Sequence, residues 1–145
     1  LARAHPKPEK IYCIDHALVT SISSGILVNS GHLLENLVFT ALRRITSDIY
    51  YFKSIGGREV DFIAKMPDRS RILVQVCEQM ADPQTRKREI RSLDEAMTEL
   101  KLTTGIIVTR SEEEQIQVES GKIDVIPAWR FLLNPQETQD LAHHR

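Results

Sequence analysis

The chain has 145 residues, 41% of them hydrophobic and 27% charged, with a formal net charge of −1. That is the length of one domain with a sizeable core, and the charge balance excludes a globally basic nucleic-acid binder while leaving room for a local basic patch. The two cysteines, Cys13 and Cys77, make neither a disulfide framework nor a CxxC metal pair, and no long apolar run or signal peptide is visible, so the expected setting is a reducing cytoplasm without a membrane partner.

Residues 1–30 read as a linker and N-terminal docking segment: a polar, Pro-containing start, then the short apolar run Ile11-Tyr12-Cys13-Ile14 closed by Asp15-His16, then a Ser-rich stretch with Gly25 and Asn29-Ser30-Gly31 as turn signals. A start at Leu1 rather than Met reads as a fragment of something longer. Residues 31–134 form the expected α/β domain. Leu33, Leu34, Leu37, Val38, Ala41, Leu42 and Ile45 recur at helical spacing and predict a helix over about 31–46, with Arg43 and Arg44 complementing its dipole. Three extended runs follow: 49–53, 59–65 and 72–78, joined by turns at Gly56-Gly57 and at Pro67-Asp68-Arg69-Ser70.

Alternation in the second run places Val60, Phe62 and Ala64 on one face and Glu59, Asp61, Ile63 and Lys65 on the other. In the third run Ile72, Val74 and Val76 oppose Leu73, Gln75 and Cys77. A second helix is predicted over about 84–101, started by Asp82-Pro83, with Ile90, Leu93, Met97 and Leu100 as its apolar seam. Next come a strand over 104–109, a solvated loop at Glu112-Glu113-Glu114, a strand over 122–126, a short helix over 127–133 and a flexible tail over 135–145, in which His143-His144 has no evident role. The expected architecture is a mixed central sheet flanked by helices in the order α-β-β-β-α-β-β.

Metal-assisted phosphodiester cleavage needs carboxylates to hold Mg²⁺, which prefers oxygen ligands, and commonly a nearby lysine. Neighbouring antiparallel strands can present such groups together. Asp61 on the second strand, Gln75 and Cys77 on the third, and Glu35 at the edge of the first helix's apolar stripe are the candidates, with Glu35 and Asp61 as the metal ligands.

This order resembles the restriction-endonuclease-like, PD-(D/E)XK superfamily, which places a metal-binding Asp on strand two and a (D/E)-x-K motif on strand three. More closely, the chain resembles the C-terminal domain of unknown function that follows the ATPase module in a group of prokaryotic AAA-type ATPases. The matching residues are Lys10-Ile11-Tyr12 with Asp15, the run from Gly31 to Phe39 (GHLLENLVF), Tyr50-Tyr51-Phe52, Glu59-Val60-Asp61-Phe62, and Val125-Ile126-Pro127-Ala128-Trp129. The resemblance implies an upstream P-loop ATPase and a winged-helix segment; no GxxxxGK[ST] occurs here.

The chain departs from the superfamily motif at Gln75-Val76-Cys77, where a neutral amide and a thiol replace the carboxylate and the lysine. Lys65 is on Asp61's expected face but roughly 13 Å further along the strand. Lys53 has no positional support.

The basic cluster Arg86, Lys87, Arg88 and Arg91 opens the second helix and reads either as a solvated face or as phosphate contacts. Cys77 reads as a packed side chain, His16 and His32 as surface or turn residues, Glu59 as the partner of Arg58 or of a neighbouring strand's cation, and Trp129 as a core or interface anchor. The expected function is a catalytically impaired, nuclease-like accessory domain of an AAA-type ATPase that engages nucleic acid or another substrate. The alternatives are an active Mg²⁺-dependent deoxyribonuclease and a protein-interaction or assembly module regulating the ATPase. The expected partners are the upstream ATPase module and DNA, and the sequence is compatible with an oligomer.

Overall fold

The computed structural model describes Tyr12 and residues 30–133. The rest of the expected linker and docking segment, with Cys13 and His16, and the expected tail, with His143-His144, lie outside the described residues. The described elements are α1 (Ser30–Arg43), β1 (Ile49–Lys53), β2 (Glu59–Lys65), β3 (Arg71–Val76), α2 (Pro83–Leu100), β4 (Thr104–Thr109), β5 (Glu114–Val118), β6 (Gly121–Pro127) and α3 (Ala128–Leu133). The strands form one mixed sheet in the order β1-β2-β3-β4-β6-β5. β1, β2 and β3 pair antiparallel, β3–β4 and β4–β6 pair parallel, and β5 returns antiparallel along β6.

The expected α-β-β-β-α-β-β order is corrected after β4 by an added strand, β5, which begins at Glu114 where a solvated loop was expected. Its sequence, Glu114-Gln115-Ile116-Gln117-Val118, alternates, but only Ile116 and Val118 are even half-buried. An edge strand that turns Gln and Glu to solvent carries too few apolar residues for its period to stand out. Glu112 is turned inward: its carboxylate accepts the Met80 N–H at 2.8 Å, and its backbone exchanges two bonds with the Thr109 hydroxyl, each 2.9 Å.

The core has two layers, one on each face of the sheet. Under α1 and α3 lie Val38, Leu42, Phe62, Ile106, Val108 and Phe131; under α2 lie Leu73, Leu93, Met97, Ile107 and Ile123. Each such side chain contributes about 1.5–3 kcal/mol on burial. The parallel strand β4 is covered on both faces, which is why its sequence is a continuous apolar run rather than an alternating one. α1 buries Leu34, Val38, Ala41 and Leu42, and ends at Arg43 rather than near residue 46, its last turn tightening through Arg44 N–H to Ala41 O and Ile45 N–H to Leu42 O. Trp129 is 60% exposed, so its expected core role is corrected: α3 buries Phe131 instead.

α2 has defined stops at both ends. Asp82 is its N-cap, accepting the Thr85 N–H at 2.7 Å, and Pro83 occupies the first turn, where a missing N–H costs nothing. At the other end Lys101 adopts the left-handed conformation (φ 55), its N–H reaches Thr98 O, and the Leu102 N–H reaches Met97 O at 2.8 Å, while Leu102 packs on the core. The helix also clamps the β1–β2 hairpin. Glu95 accepts from the Ser54 hydroxyl at 2.5 Å and from Arg58 Nε at 2.9 Å, and Glu99 accepts the Ile55 N–H at 2.8 Å. The Ser54 bond first, then the Arg58 bond and charge, hold the Glu95 carboxyl below the usual carboxylate range.

A left-handed conformation strains a Lys but not a Gly, so Lys101→Gly is expected to raise stability by about 0.5–1 kcal/mol, read as a higher urea midpoint at unchanged m-value. Gly121 has φ 149, and a Cβ there would sit 2.1 Å from Thr103 O. Gly121→Ala is expected to lower stability by roughly 2 kcal/mol or more in the same assay.

Candidate functional site

The site begins with an irregularity in β2. Tyr50 pairs with Ile63 but Phe52 with Val60, so Asp61 and Phe62 together oppose the single residue Tyr51. This is a β-bulge, and it breaks the alternation expected for the strand. Val60 and Ile63 pack on the α2 side, whereas Phe62 and Ala64 pack on the α1 side. Asp61 follows Phe62: both line a cleft on the α1 side. The expected grouping of Val60 with Phe62, and of Asp61 with Ile63, is therefore corrected, because the extra residue reverses the strand's faces midway.

Side chains hold the bulge where the backbone ladder lapses. The Asp61 N–H donates to Gln75 Oε1 at 3.0 Å, and the Val76 N–H donates to Asp61 Oδ2 at 2.9 Å. Gln75 is 8% exposed and faces α2, where its Nε2 donates to Glu89 Oε2 at 2.7 Å. Glu89, 6% exposed, takes two further bonds on Oε1 from Arg88, 2.9 Å from Nε and 2.7 Å from Nη2. A carboxylate only accepts, so Glu89 fixes the Gln75 amide with its NH₂ toward α2 and its carbonyl toward Asp61. Cys77, also buried, donates from Sγ to Gln79 O at 3.1 Å; burial first, then the Glu89 charge, pushes its thiol pKa up.

On the α1 side the cleft has a volume of about 350 Å³ and is lined by Tyr12, Phe39, Ile49, Tyr50, Tyr51 and Phe62, with Glu59 and Asp61 supplying charge. Tyr12 stacks on Phe39 with ring centroids 4.2 Å apart and tilts against Phe62 at 5.5 Å. Its hydroxyl donates to Glu35 Oε1 at 2.8 Å. Burial, then the Glu35 bond and charge, then the Asp61 charge push the Tyr12 phenol pKa far upward, so Glu35 and Asp61 both act on this one hydroxyl. Glu35 and Asp61 are thus brought to the same corner, while Gln75 is turned to the opposite face. His32 is exposed, 4.0 Å from Glu35 Oε2. Glu59 has the cation of a neighbouring strand, Lys53, at 3.6 Å. Arg58 goes to Glu95 instead.

Of the expected donors, Glu35 and Asp61 share a corner and Gln75 does not join them. The Gln75 carbonyl is committed to a backbone N–H, and among the described residues no three His, Cys, Asp or Glu side chains gather in a way that could hold a metal ion. The basic cluster is divided as well. Arg86 forms a two-bonded pair with Glu114, and Arg88 is tied to Glu89, whereas Lys87 and Arg91 are exposed. Arg91 contributes to Glu95 only as a nearby charge.

Glu89 and Tyr12 were not picked out as site residues by sequence reasoning. Glu89 does leave a signal, since it precedes Leu93 by four residues and Met97 by eight and so lies on the buried stripe of α2. Tyr12 leaves only its place in an apolar run and in the Lys10-Ile11-Tyr12 stretch that carries part of the family resemblance.

Gln75→Glu would put a second buried carboxylate against Glu89, and is expected to cost about 3 kcal/mol in urea unfolding, with most of that recovered when Glu89→Gln is added. The raised thiol pKa predicts that Cys77 alkylation by iodoacetamide, followed by peptide mass mapping, has a pH midpoint above that of an ordinary cysteine, because the thiolate forms later as pH rises.

No described helix is long and apolar enough to cross a membrane. No solved structure matches the chain. An uncharacterized protein of Methanocaldococcus jannaschii is 32% identical over 133 residues, which covers 86% of this chain and 29% of that protein, so the chain spans less than a third of its relative's length. The domain of unknown function DUF4143 matches residues 30–131, from the start of α1 into α3, and the chain belongs to that family.

Proposed function

We propose that the chain is a nuclease-derived accessory module of a longer, ATPase-containing prokaryotic protein, and that it engages a substrate without cutting nucleic acid. The observation that carries this reading is the commitment of Gln75. Its position on β3, across from Asp61 on β2, is where the restriction-endonuclease-like framework would put a metal-binding carboxylate. Here a neutral amide is spent on holding the Asp61 bulge and on Glu89. A buried thiol with a raised pKa at the next alternate position supplies no cation for a phosphate.

The order α1-β1-β2-β3-α2-β4, antiparallel through β3 and parallel at β4, supports the framework, although fold alone does not carry function. The small share of the M. jannaschii relative that the chain covers supports its being one module of a larger chain.

Plasmid and single-stranded DNA incubated with the purified chain and Mg²⁺ or Mn²⁺ are expected to remain intact. Cleavage that disappears in Asp61→Ala would overturn the proposal in favour of an active nuclease.

Nucleic-acid contact is a narrower reading, favoured by the exposure of Lys87 and Arg91 on α2. With Arg86 and Arg88 paired internally, the contact would release about two counterions. Binding to a labelled duplex would then fall with a log–log salt slope near −2 and vanish in Lys87→Glu/Arg91→Glu. Unchanged binding in that variant would remove α2 from the interface.

A further inference from the structure

One end of the molecule gathers positive charge. Arg43 and Arg44 close α1, Lys65 and Arg71 flank the turn between β2 and β3, Arg69 stands in that turn, and Lys101 caps the end of α2; all six are exposed. Hydrogen bonds join the segments that carry them. The Thr46 hydroxyl donates to Lys65 O at 2.7 Å, the Lys65 N–H to Asp48 O at 2.9 Å, and Arg71 Nη2 to Leu100 O at 3.0 Å. None of the six belongs to an ion pair among the described residues. The carboxylates on the same segments are those of Asp48 and Asp68, and Asp68 Oδ1 accepts the Ser70 N–H and hydroxyl. Glu99 turns away to the Ile55 N–H in the other hairpin.

Local stability does not ask for this arrangement. Lys65 and Arg71 are directly opposed on β2 and β3, where like charges repel. Among the described residues, the two non-glycine residues with positive φ are Arg69, at 70, and Lys101, at 55. Both stand where glycine is the unstrained choice. Arg69 holds the left-handed position that ends the turn, its N–H closing on Met66 O at 2.9 Å, and Lys101 ends α2. Left-handed strain in non-glycine residues concentrates at functional positions. Helix dipoles favour Arg43, Arg44 and Lys101, but no dipole favours the three cations of the hairpin.

We propose that this basic end binds an acidic segment of a partner protein, whose Asp and Glu carboxylates pair with Arg69, Arg71 and the cations beside them. A guanidinium meets a carboxylate through two parallel bonds. The surroundings select a peptide over other polyanions. α1 and α2 both end here, so the patch lies at the negative poles of two helices, the reverse of the N-termini that receive phosphates. Helix C-termini also turn carbonyls outward, which accept peptide N–H groups and find no donor on a phosphate backbone. These segments carry no aromatic residue to stack a base. They carry no exposed large aliphatic side chain to enter a lipid surface either: Met66 is buried, and Ile45 and Leu100 pack on the core. The patch is at the opposite end of β3 from Gln75, and Lys87 is about 21 Å away along α2, so the contact is independent of whether the chain cuts nucleic acid.

The test uses the whole 145-residue chain. A capped, fluorescein-labelled Glu-Glu-Asp-Glu-Glu-Asp-Glu-Glu peptide and its Gln/Asn counterpart are titrated with the protein and followed by anisotropy. The acidic peptide is expected to bind about tenfold more tightly than its neutral counterpart, and its affinity to fall as salt rises. Arg69→Gly and Lys101→Gly relieve left-handed strain, so each variant should have a higher thermal midpoint than the parent while binding the acidic peptide about threefold more weakly, and the double variant about tenfold. A weakened yet more stable protein separates loss of contact from loss of fold. No binding, equal binding of the two peptides, or unchanged binding in the double variant would each overturn the proposal. So would duplex DNA, or vesicles of phosphatidylcholine and phosphatidylserine, that bind more tightly than the acidic peptide and lose that binding in the double variant.

Discussion

Both faces of the sheet near the site depend on one buried amide. Gln75 accepts the Asp61 N–H on one side and donates to Glu89 on the other, and it can do both only while Glu89 stays an acceptor. A buried polar network of this kind either satisfies all its members or costs several kcal/mol. Here it is satisfied: Arg88 takes the second Glu89 oxygen and the Val76 N–H takes Asp61 Oδ2. The bulge follows from it, because Asp61 leaves the regular ladder at the point where a side chain substitutes for a backbone partner.

The same network bears on the proposed loss of metal-assisted hydrolysis. A carboxylate at position 75 would sit against Glu89, and a lysine at 77 would enter a buried position now filled by a thiol. The negative charge in this region is carried by Glu89 on α2, and its counter-charge by Arg88 one residue away. α2 therefore serves mainly as scaffold. Two of the four cations that open it are spent on Glu114 and Glu89, and its later turns hold the β1–β2 hairpin through Glu95 and Glu99. The cleft lies on the other face, where the aromatic rings and Asp61 form its lining.

Much of the fold was legible in the sequence wherever burial is one-sided or complete. The stripe of α1, the Asp82-Pro83 start of α2 and the run Thr104–Thr109 each carry a strong local signal, and each lies close to where the spacing puts it. β5 was not legible, since an edge strand with two half-buried apolar residues has almost no hydrophobic period. The site was half legible. Glu35, Asp61, Gln75 and Cys77 could be named from order and type, and Asp61 with Glu35 does reach one corner.

What the sequence could not supply was direction. A two-residue period assigns faces only while the ladder is regular, and one inserted residue turns every later side chain to the other face. Whether β2 contains that insertion is decided by its neighbours: by Gln75 on β3, by Glu89 on α2 and by the single residue Tyr51 that faces Asp61 and Phe62. The local sequence determined the helices, the central strands and the kinds of chemical group present near the site. Only the tertiary structure decided which face each group occupies, because the bonds that hold the bulge join residues far apart in the chain and have no local signal.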